Sequence, residues 1–371
     1  MKFSINKKEL LSALQLLSKA TPVRSTLPII SSGLFVVKNN KLFIRTTDLE
    51  ISIKINCIIS DAEDGNVAIP ISKLLEITTA MPEDEINFNI SENRRVNIIC
   101  SSGNYTIGGQ PNEEFPAEQK LDNPQTLTIS SNELKNIIND TSYATSKDDL
   151  KPVLQGVFFQ IEKNGIVSVA TDGHRLVKTE RKNINNQDYV GSIVVPTKFL
   201  NLLNTQLTNQ DNISLLIGDN HIQVNINNII ITSRTIKDPY PDYEGVIPKE
   251  NNKTLIVNKE NFTSAIKRIS IFSNKASKQI ALEITENNII ITTEDPENIT
   301  TGKESIDCSF DGDPMTIGYN AMYLSEVLNH QDADEVKIML NSPLNAGIFI
   351  PIEEKENDIT TTLLMPIRLN D

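Results

Sequence analysis

The 371-residue sequence is poor in the features that announce an enzyme, a secreted protein or a membrane protein. No apolar run approaches the roughly 18 residues of a membrane span, and the opening Met1-Lys2-Phe3-Ser4-Ile5 lacks the apolar stretch of a signal peptide. A soluble, cytoplasmic protein that uses no membrane is therefore expected. The three cysteines, Cys57, Cys100 and Cys308, are far apart, odd in number and form no C-x-x-C pair, which argues against a disulfide framework or a zinc site. They are expected to be reduced core residues. There is no G-x-x-x-x-G-K-[ST] loop for a nucleotide, no Ser or Cys in a nucleophile elbow and no second His in ligand spacing. Neither cofactor nor metal is expected. Positive charge is also in deficit, with a net charge of −13. That normally argues against nucleic acid, because affinity for phosphates is built from Lys and Arg that release counterions.

What the sequence does have is a threefold repeat. Phe115-Pro116, Tyr240-Pro241 and Met365-Pro366 stand 125 residues apart. Each repeat opens with a short strand running into a helix, at identical internal spacing: Phe3, Ile5, Leu10, Ala13, Leu14; Leu127, Ile129, Leu134, Ile137, Ile138; Leu255, Val257, Phe262, Ala265, Ile266. The period exceeds the roughly 20 to 50 residues of a solenoid unit, so each repeat must bury its own core. Linkers at Asp122-Asn123-Pro124 and Pro248-Lys249-Glu250-Asn251-Asn252 divide the chain into domains at 1–122, 126–248 and 253–371.

After its first helix each repeat shows alternating β-branched runs, at Leu34–Val37 and Leu42–Thr46, Val157–Ile161 and Val167–Ala170, Ile280–Ile284 and Ile289–Thr292. Polar turns such as Lys38-Asn39-Asn40 join them into hairpins. A second helix follows, with Pro70 and Pro196 at its start, and then more strands to the marker pair. The order predicts an α+β fold of three tandem domains, each with two helices and about eight strands. The helical segments 7–19, 71–79, 131–140, 197–204, 259–268 and 319–330 together carry +3, leaving −16 elsewhere. A mildly positive helical surface within an acidic exterior suits a protein that surrounds a polyanion without gripping it; the helix propensity of lysine gives the same pattern. Three similar domains in a row also leave complementary surfaces at the two ends, which in a head-to-tail pair either close a ring or continue as a filament.

The most distinctive string, Ala170-Thr171-Asp172-Gly173-His174-Arg175-Leu176, occurs in the middle repeat only; Thr47-Asp48-Leu49-Glu50 and Thr293-Glu294-Asp295-Pro296-Glu297 keep its acidic turn. Three readings stand: a hydrolase centre in which Asp172 orients His174 as a base, a plain structural turn with Gly173 supplying positive φ, and a recognition loop.

Together with Tyr240-Pro241-Asp242-Tyr243, Thr26-Leu27-Pro28-Ile29, Thr47-Asp48-Leu49-Glu50 and Met365-Pro366-Ile367-Arg368-Leu369, this string resembles the bacterial β sliding clamps, the processivity subunits of replicative DNA polymerase III. The resemblance runs end to end. It implies three clamp domains, each with two helices packed on two antiparallel sheets, closing as a head-to-tail homodimeric ring with pseudo-sixfold symmetry around duplex DNA. It implies no enzymatic activity and partners that include the polymerase III catalytic subunit, a clamp-loader ATPase, other polymerases and mismatch-repair proteins, held through short peptides. The pocket for those peptides falls on Leu154, Thr171, Gly173, His174, Arg175, Leu176, Pro241, Val246, Asn320, Tyr323, Leu344, Leu363, Met365, Pro366, Ile367 and Arg368. In it Leu154, Leu176, Val246, Leu363 and Met365 supply an apolar floor, and His174, Arg175, Asn320 and Tyr323 polar contacts at the rim. Arg24, Lys73 and Lys198 match DNA-facing positions, and the dimer seam sets Tyr105 and Ile107 against Ile271 and Phe272. There are departures: Gly245 and Thr197 stand where the family often has basic residues, Lys151-Pro152-Val153 replaces an Arg with aromatics, and Ser102 and Asn104 replace Arg ion partners at the seam.

Overall fold

The computed structural model of the chain describes residues 1–184, 189–207, 212–352 and 357–369. Its α-helices are α1 (Lys7–Leu17), α2 (Ile71–Ala80), α3 (Ser131–Thr141), α4 (Thr197–Asn204), α5 (Lys259–Ser270) and α6 (Ala321–Asn329). α1 and α5 begin where a strand ends on an asparagine. The Asn6 Oδ1 accepts from Lys8 N at 2.9 Å and the Asn258 Oδ1 from Asn261 N at 3.0 Å, each satisfying an N–H that the first turn leaves unpaired. The stripes Leu10, Ala13, Leu14, Leu17 and Phe262, Ala265, Ile266, Ile269 are buried, and α1 packs on α2 as α5 packs on α6.

Helix boundaries shift by one or two residues from expectation, and two of the shifts have a visible cause. α1 gives way to a 3₁₀ turn at Ser18–Ala20, and the segment expected to be helical from 319 begins as strand, because Met315–Asn320 runs up to the cap of α6.

The chain divides into two compact units that cut across the repeats: residues 1–131 with 202–235, and residues 132–201 with 236–371. In the first unit, one sheet orders the strands Gln125–Ser130, Asn212–Ile217, His221–Ile226, Ile229–Arg234, Ile51–Ile58, Lys41–Thr47, Ser32–Lys38 and Gly65–Pro70. It joins four strands of the second repeat to four of the first, in the register Ile229↔Ile55 to Ser233↔Ile51. The unit's other sheet belongs to the first repeat alone: Ser60–Glu63, Lys2–Asn6, Glu85–Ile90, Arg95–Cys100 and Gly103–Gly108.

The second unit is built the same way. Its larger sheet orders Gly191–Pro196, Gly156–Glu162, Gly165–Thr171, Arg175–Lys182, Asp358–Leu364, Gly347–Pro351, Glu335–Leu340, Lys253–Asn258 and Ser309–Asp311. The second repeat meets the third at Arg175↔Leu364 through Arg181↔Asp358. Its smaller sheet, Thr300–Asp307, Asn288–Asp295, Gln279–Thr285 and Met315–Asn320, belongs to the third repeat alone. The strand at one edge of each one-repeat sheet, Gly103–Gly108 and Thr300–Asp307, alternates half-buried with exposed residues.

The runs read as strands from the sequence do not include the joining strands Ile51–Ile58, Arg175–Lys182 and Asp358–Leu364, whose outward faces carry charge and amide: Lys54 and Asn56, Lys178 and Glu180. Cys57 and Cys100 are buried free thiols, whereas Cys308, expected in the core, is only half-buried. Burial, with Glu9 nearby, pushes the Cys57 thiol up to about 12. Among the described residues no helix is long and apolar enough to cross a membrane.

Candidate functional site

The site lies wholly within the second unit and is organised by the turn Thr171–Arg175. The Thr171 Oγ1 donates to Arg175 O at 2.6 Å and accepts from Gly173 N at 3.1 Å. The Asp172 Oδ1 accepts from His174 N at 2.8 Å and Arg175 N at 3.0 Å, while Gly173 takes a φ of +91°. Asp172 thus holds the backbone, not the imidazole. The His174 ring stacks on Tyr323 instead, with centroids 5.6 Å apart, which disposes of a catalytic Asp–His pair. Among the described residues no group of three His, Cys, Asp or Glu stands close enough to hold a metal ion.

Arg175 corrects an expectation. It is not a rim contact but a buried keystone: its guanidinium pairs with Glu326, lies 3.3 Å from the Asp172 Oδ2 and donates to Tyr143 O at 2.7 Å. It stacks over the Tyr143 and Tyr323 rings at 5.2 and 4.8 Å. Strand, turn and α6 are thereby locked together beneath His174 and Tyr323. Asn320 is likewise spoken for. Its Oδ1 caps α6 by accepting from Met322 N at 2.9 Å and Tyr323 N at 3.3 Å, and its Nδ2 donates to Ser277 O at 3.1 Å. It positions Tyr323 by capping the helix that carries it.

The floor is a cluster of Val169, Leu176, Ala346, Ile348 and Leu363, with Phe158, Tyr240, Tyr243 and Ile247 packed against it. Leu176 and Leu363 face each other across the strand pair. Tyr240 stacks on Phe158 at 5.1 Å and its OH donates to Val169 O at 3.3 Å; burial raises its phenol well above the usual range, so it stays a donor. Around this floor stand apolar side chains left in the open: Val246 at 57% exposure, Leu344 at 62% and Met365 at 47%. Val246 and Met365, expected in the floor, are therefore walls. Met365 is fixed to the turn by its N–H, which donates to His174 O at 2.8 Å, and Ile367 N donates to Gly318 O at 2.8 Å, so Pro366 is held at both sides. Pro241 and Arg368 are exposed, and Leu154 is half-buried on the 3₁₀ turn Pro152–Gln155. Sequence reasoning missed Phe158, Ala346 and Ile348. The alternation of their strands was the available signal for Phe158 and Ile348; Ala346 precedes the strand that begins at Gly347. Apolar walls, two aromatic rings and a buried cation make a surface for apolar side chains of an extended ligand, not a reaction centre.

Of the remaining predicted residues, Arg24 and Lys198 are exposed, and Lys73 on α2 is exposed but paired with Glu76 at 3.0 Å. Tyr105 and Ile107 share one face of the edge strand Gly103–Gly108. Ile271 and Phe272 stand out after α5 at 76% and 42% exposure, and the Thr300 Oγ1 of the other edge strand donates to Phe272 O at 3.0 Å.

This architecture has relatives. The chain matches the N-terminal domain of the DNA polymerase III beta subunit over residues 1–119, the central domain over 128–242 and the C-terminal domain over 244–368. It belongs to that family. It is 28% identical to the beta sliding clamp of Pseudomonas putida over 372 aligned residues and 29% identical to that of Escherichia coli K12, covering 100% of each chain. Among solved structures it is similar to a Pseudomonas aeruginosa sliding clamp bound to griselimycin, with a TM-score of 0.90 at 27% identity and full coverage of both chains. The fold is shared with a Bartonella birtlesii clamp at a TM-score of 0.93 and 23% identity, again over the whole of both chains.

Proposed function

We propose that this chain is a non-catalytic sliding clamp of the replication machinery, acting in the cytoplasm as a head-to-tail homodimer whose closed ring encircles duplex DNA and tethers partner proteins. The observation that carries it is the pair of one-repeat sheets. Each larger sheet joins two neighbouring repeats edge to edge, whereas Gly103–Gly108 of the first repeat and Thr300–Asp307 of the third end their sheets. These edges are the counterparts of the joined ones, so a second copy supplies the missing neighbour at each end and closes the series. The seam so formed brings Tyr105 and Ile107 toward Ile271 and Phe272 of the other copy. Ser102 and Asn104 contribute no charge to it, and Glu304 on the edge strand is already occupied by Arg268 of its own chain. Apolar packing and strand pairing therefore carry the seam.

Three domains, near 1–122, 126–248 and 253–371, contribute the helices. With Arg24 and Lys198 exposed and Lys73 neutralised by Glu76, phosphate contacts are few and interchangeable, which lets the ring slide. Lifetime on DNA comes from enclosure. The surface around Leu176, Leu363, Val246, Leu344, Met365, His174 and Tyr323 receives short peptides of the polymerase III catalytic subunit, the clamp-loader ATPase, other polymerases and mismatch-repair proteins, and raises their effective concentration at the template. The test is loading onto a nicked circular plasmid by the cognate loader, followed by gel filtration in high salt. The protein stays with the circle and is lost once one restriction cut makes it linear; equal retention on both forms rejects the reading.

A further inference from the structure

The two joints between repeats are closed by unlike groups. In the second unit the buried Arg181 pairs with Asp140 on α3 and with Asp358 on the strand Asp358–Leu364. Close to the same Asp140, the Tyr143 and His330 rings lie face to face, with centroids 3.7 Å apart and planes 11° from parallel. A planar cation and two stacked rings thus fill that joint. In the first unit other residues stand at these places. The register that sets Leu10 against Leu134 and Thr47 against Thr171 puts Leu16 at the place of Asp140, Lys19 at that of Tyr143, Cys57 at that of Arg181 and Gln206 at that of His330.

The ion pair and the rings are gone, and a cavity of about 400 Å³ remains. Its walls are Ala13 and Leu16 on α1, Ile55 and Cys57 on the joining strand, and Ile229 on the strand beside it. All but the half-buried Ile229 are buried. Two charged groups stand on the rim, Glu9 and Lys19, at opposite ends of α1 and its 3₁₀ extension and so roughly 15 Å apart by helical rise. The Glu9 carboxylate accepts from Ile58 N at 2.7 Å, whereas the Lys19 ammonium has no partner among the described residues. The rim amides are engaged: the Asn228 Nδ2 donates to Asn56 O at 2.7 Å and the Gln206 Nε2 to the Thr205 Oγ1 at 2.9 Å. The Cys57 thiol, pushed up to about 12 by burial and Glu9, stays protonated, so the cavity offers shape and one free cation rather than covalent chemistry.

We propose that the cavity between α1 and the joining strand Ile51–Ile58 is a small-molecule site that takes a planar aromatic carboxylate, its rings between Leu16, Ile55 and Ile229 and its carboxylate on Lys19. The volume falls within the roughly 300 to 1,000 Å³ of ligand pockets. The planar form follows from what the second joint holds at the matching place, two rings and a guanidinium. The charge follows from the unpaired ammonium.

The experiment is methyl NMR of the full-length protein labelled at Ile and Leu methyl groups, titrated with 2-naphthoate and, separately, with the neutral 2-naphthamide. 2-Naphthoate is expected to shift the Leu16, Ile55 and Ile229 signals in one saturable process and to bind about fivefold tighter than the amide. Lys19→Glu, a change at an exposed position, is expected to erase that preference and leave binding of the amide as it was. Cys57→Arg with Leu16→Asp, which rebuilds the ion pair of the second joint in the first, is expected to abolish binding of both compounds; Lys19→Glu decides the matter even where this double variant does not fold. The site is overturned by shifts confined to Ile348 and Leu363 of the peptide surface, by the lack of any saturable shift, by equal affinity for acid and amide, or by a preference for the acid that survives Lys19→Glu.

Discussion

The first and second repeats carry the same turn and put it to opposite uses. At Thr47–Ile51 the Thr47 Oγ1 donates to Ile51 O at 2.9 Å and the Asp48 Oδ1 accepts from Glu50 N and Ile51 N at 3.0 and 2.7 Å, bond for bond the arrangement of Thr171–Arg175. Even the next strand docks alike: Arg234 N donates to Glu50 O at 2.9 Å as Met365 N does to His174 O. The side chains diverge. Arg45 occupies the place of Val169, spreads over the Phe115 ring at 5.0 Å and donates to Pro116 O, and Gln119 reaches Leu49 O at 3.2 Å. The first turn is sealed by its own chain. In the second, Val169 leaves the floor apolar, Tyr240 lies back on Phe158, and His174 and Tyr323 stand open. On the proposed reading, a binding surface arises from changing what covers a turn, not the turn.

The third turn, around Asp295, leads to the unjoined strand, and it tests the comparison most severely. Ile271→Ala with Phe272→Ala is expected to weaken the homodimer by about 4 kcal/mol, giving monomers in sedimentation velocity at micromolar concentration. An unchanged dimer would put the seam elsewhere. Next in size, Arg175→Ala should cost roughly 3 kcal/mol in urea unfolding, since a buried cation with its carboxylate and two rings is lost, and should abolish peptide binding. Ile51→Ala at the matching position, although destabilising by a similar ~2 to 4 kcal/mol through a cavity, should leave peptide affinity intact. Peptide loss from both variants would break the distinction between the two turns.

His174→Ala should reduce peptide affinity about tenfold with stability unchanged, because it removes an exposed ring stacked on Tyr323. Glu50→Ala should do neither. The smallest effects are in the backbone. Nothing lies within 4 Å of a Cβ at Gly173, so Gly173→Ala reports the positive φ alone and should cost about 1 kcal/mol. Leu49 already bears that strain at a φ of +78°, and Leu49→Gly should change stability by no more than about 0.5 kcal/mol, relief offsetting the added freedom of the unfolded chain. A large loss at Leu49 would mean that its side chain, not its backbone, matters.

Much of this was legible in the residues. The 125-residue spacing, the helical stripes from Leu10 to Leu17 and from Phe262 to Ile266, and the acidic turns all follow from period and turn chemistry that act locally. Which strands join the repeats was not legible, because edge-to-edge pairing with a distant repeat leaves no local trace, even though Ile51–Ile58 alternates apolar with polar residues and Ile229–Ser233 reads as a strand. Arg175 was visible as a residue and misjudged in role, and the capping role of Asn320 was missed. A cation beside an exposed histidine reads as surface charge until Tyr143 and Glu326, far along the chain, close over it; an asparagine ahead of a helix shows its cap only once the start of that helix is known.

The division of the chain has a consequence for how it is made. The first unit needs residues 202–235 as well as 1–131, so no part of the nascent chain can complete its larger sheet until the ribosome has synthesised well beyond the second repeat's midpoint. Until then Ile51–Ile58 waits with a bare flank, and a fragment ended at the first linker would keep it bare permanently. The repeats look like modules in the genetic text, yet as objects that fold they cannot be cut apart where they are punctuated.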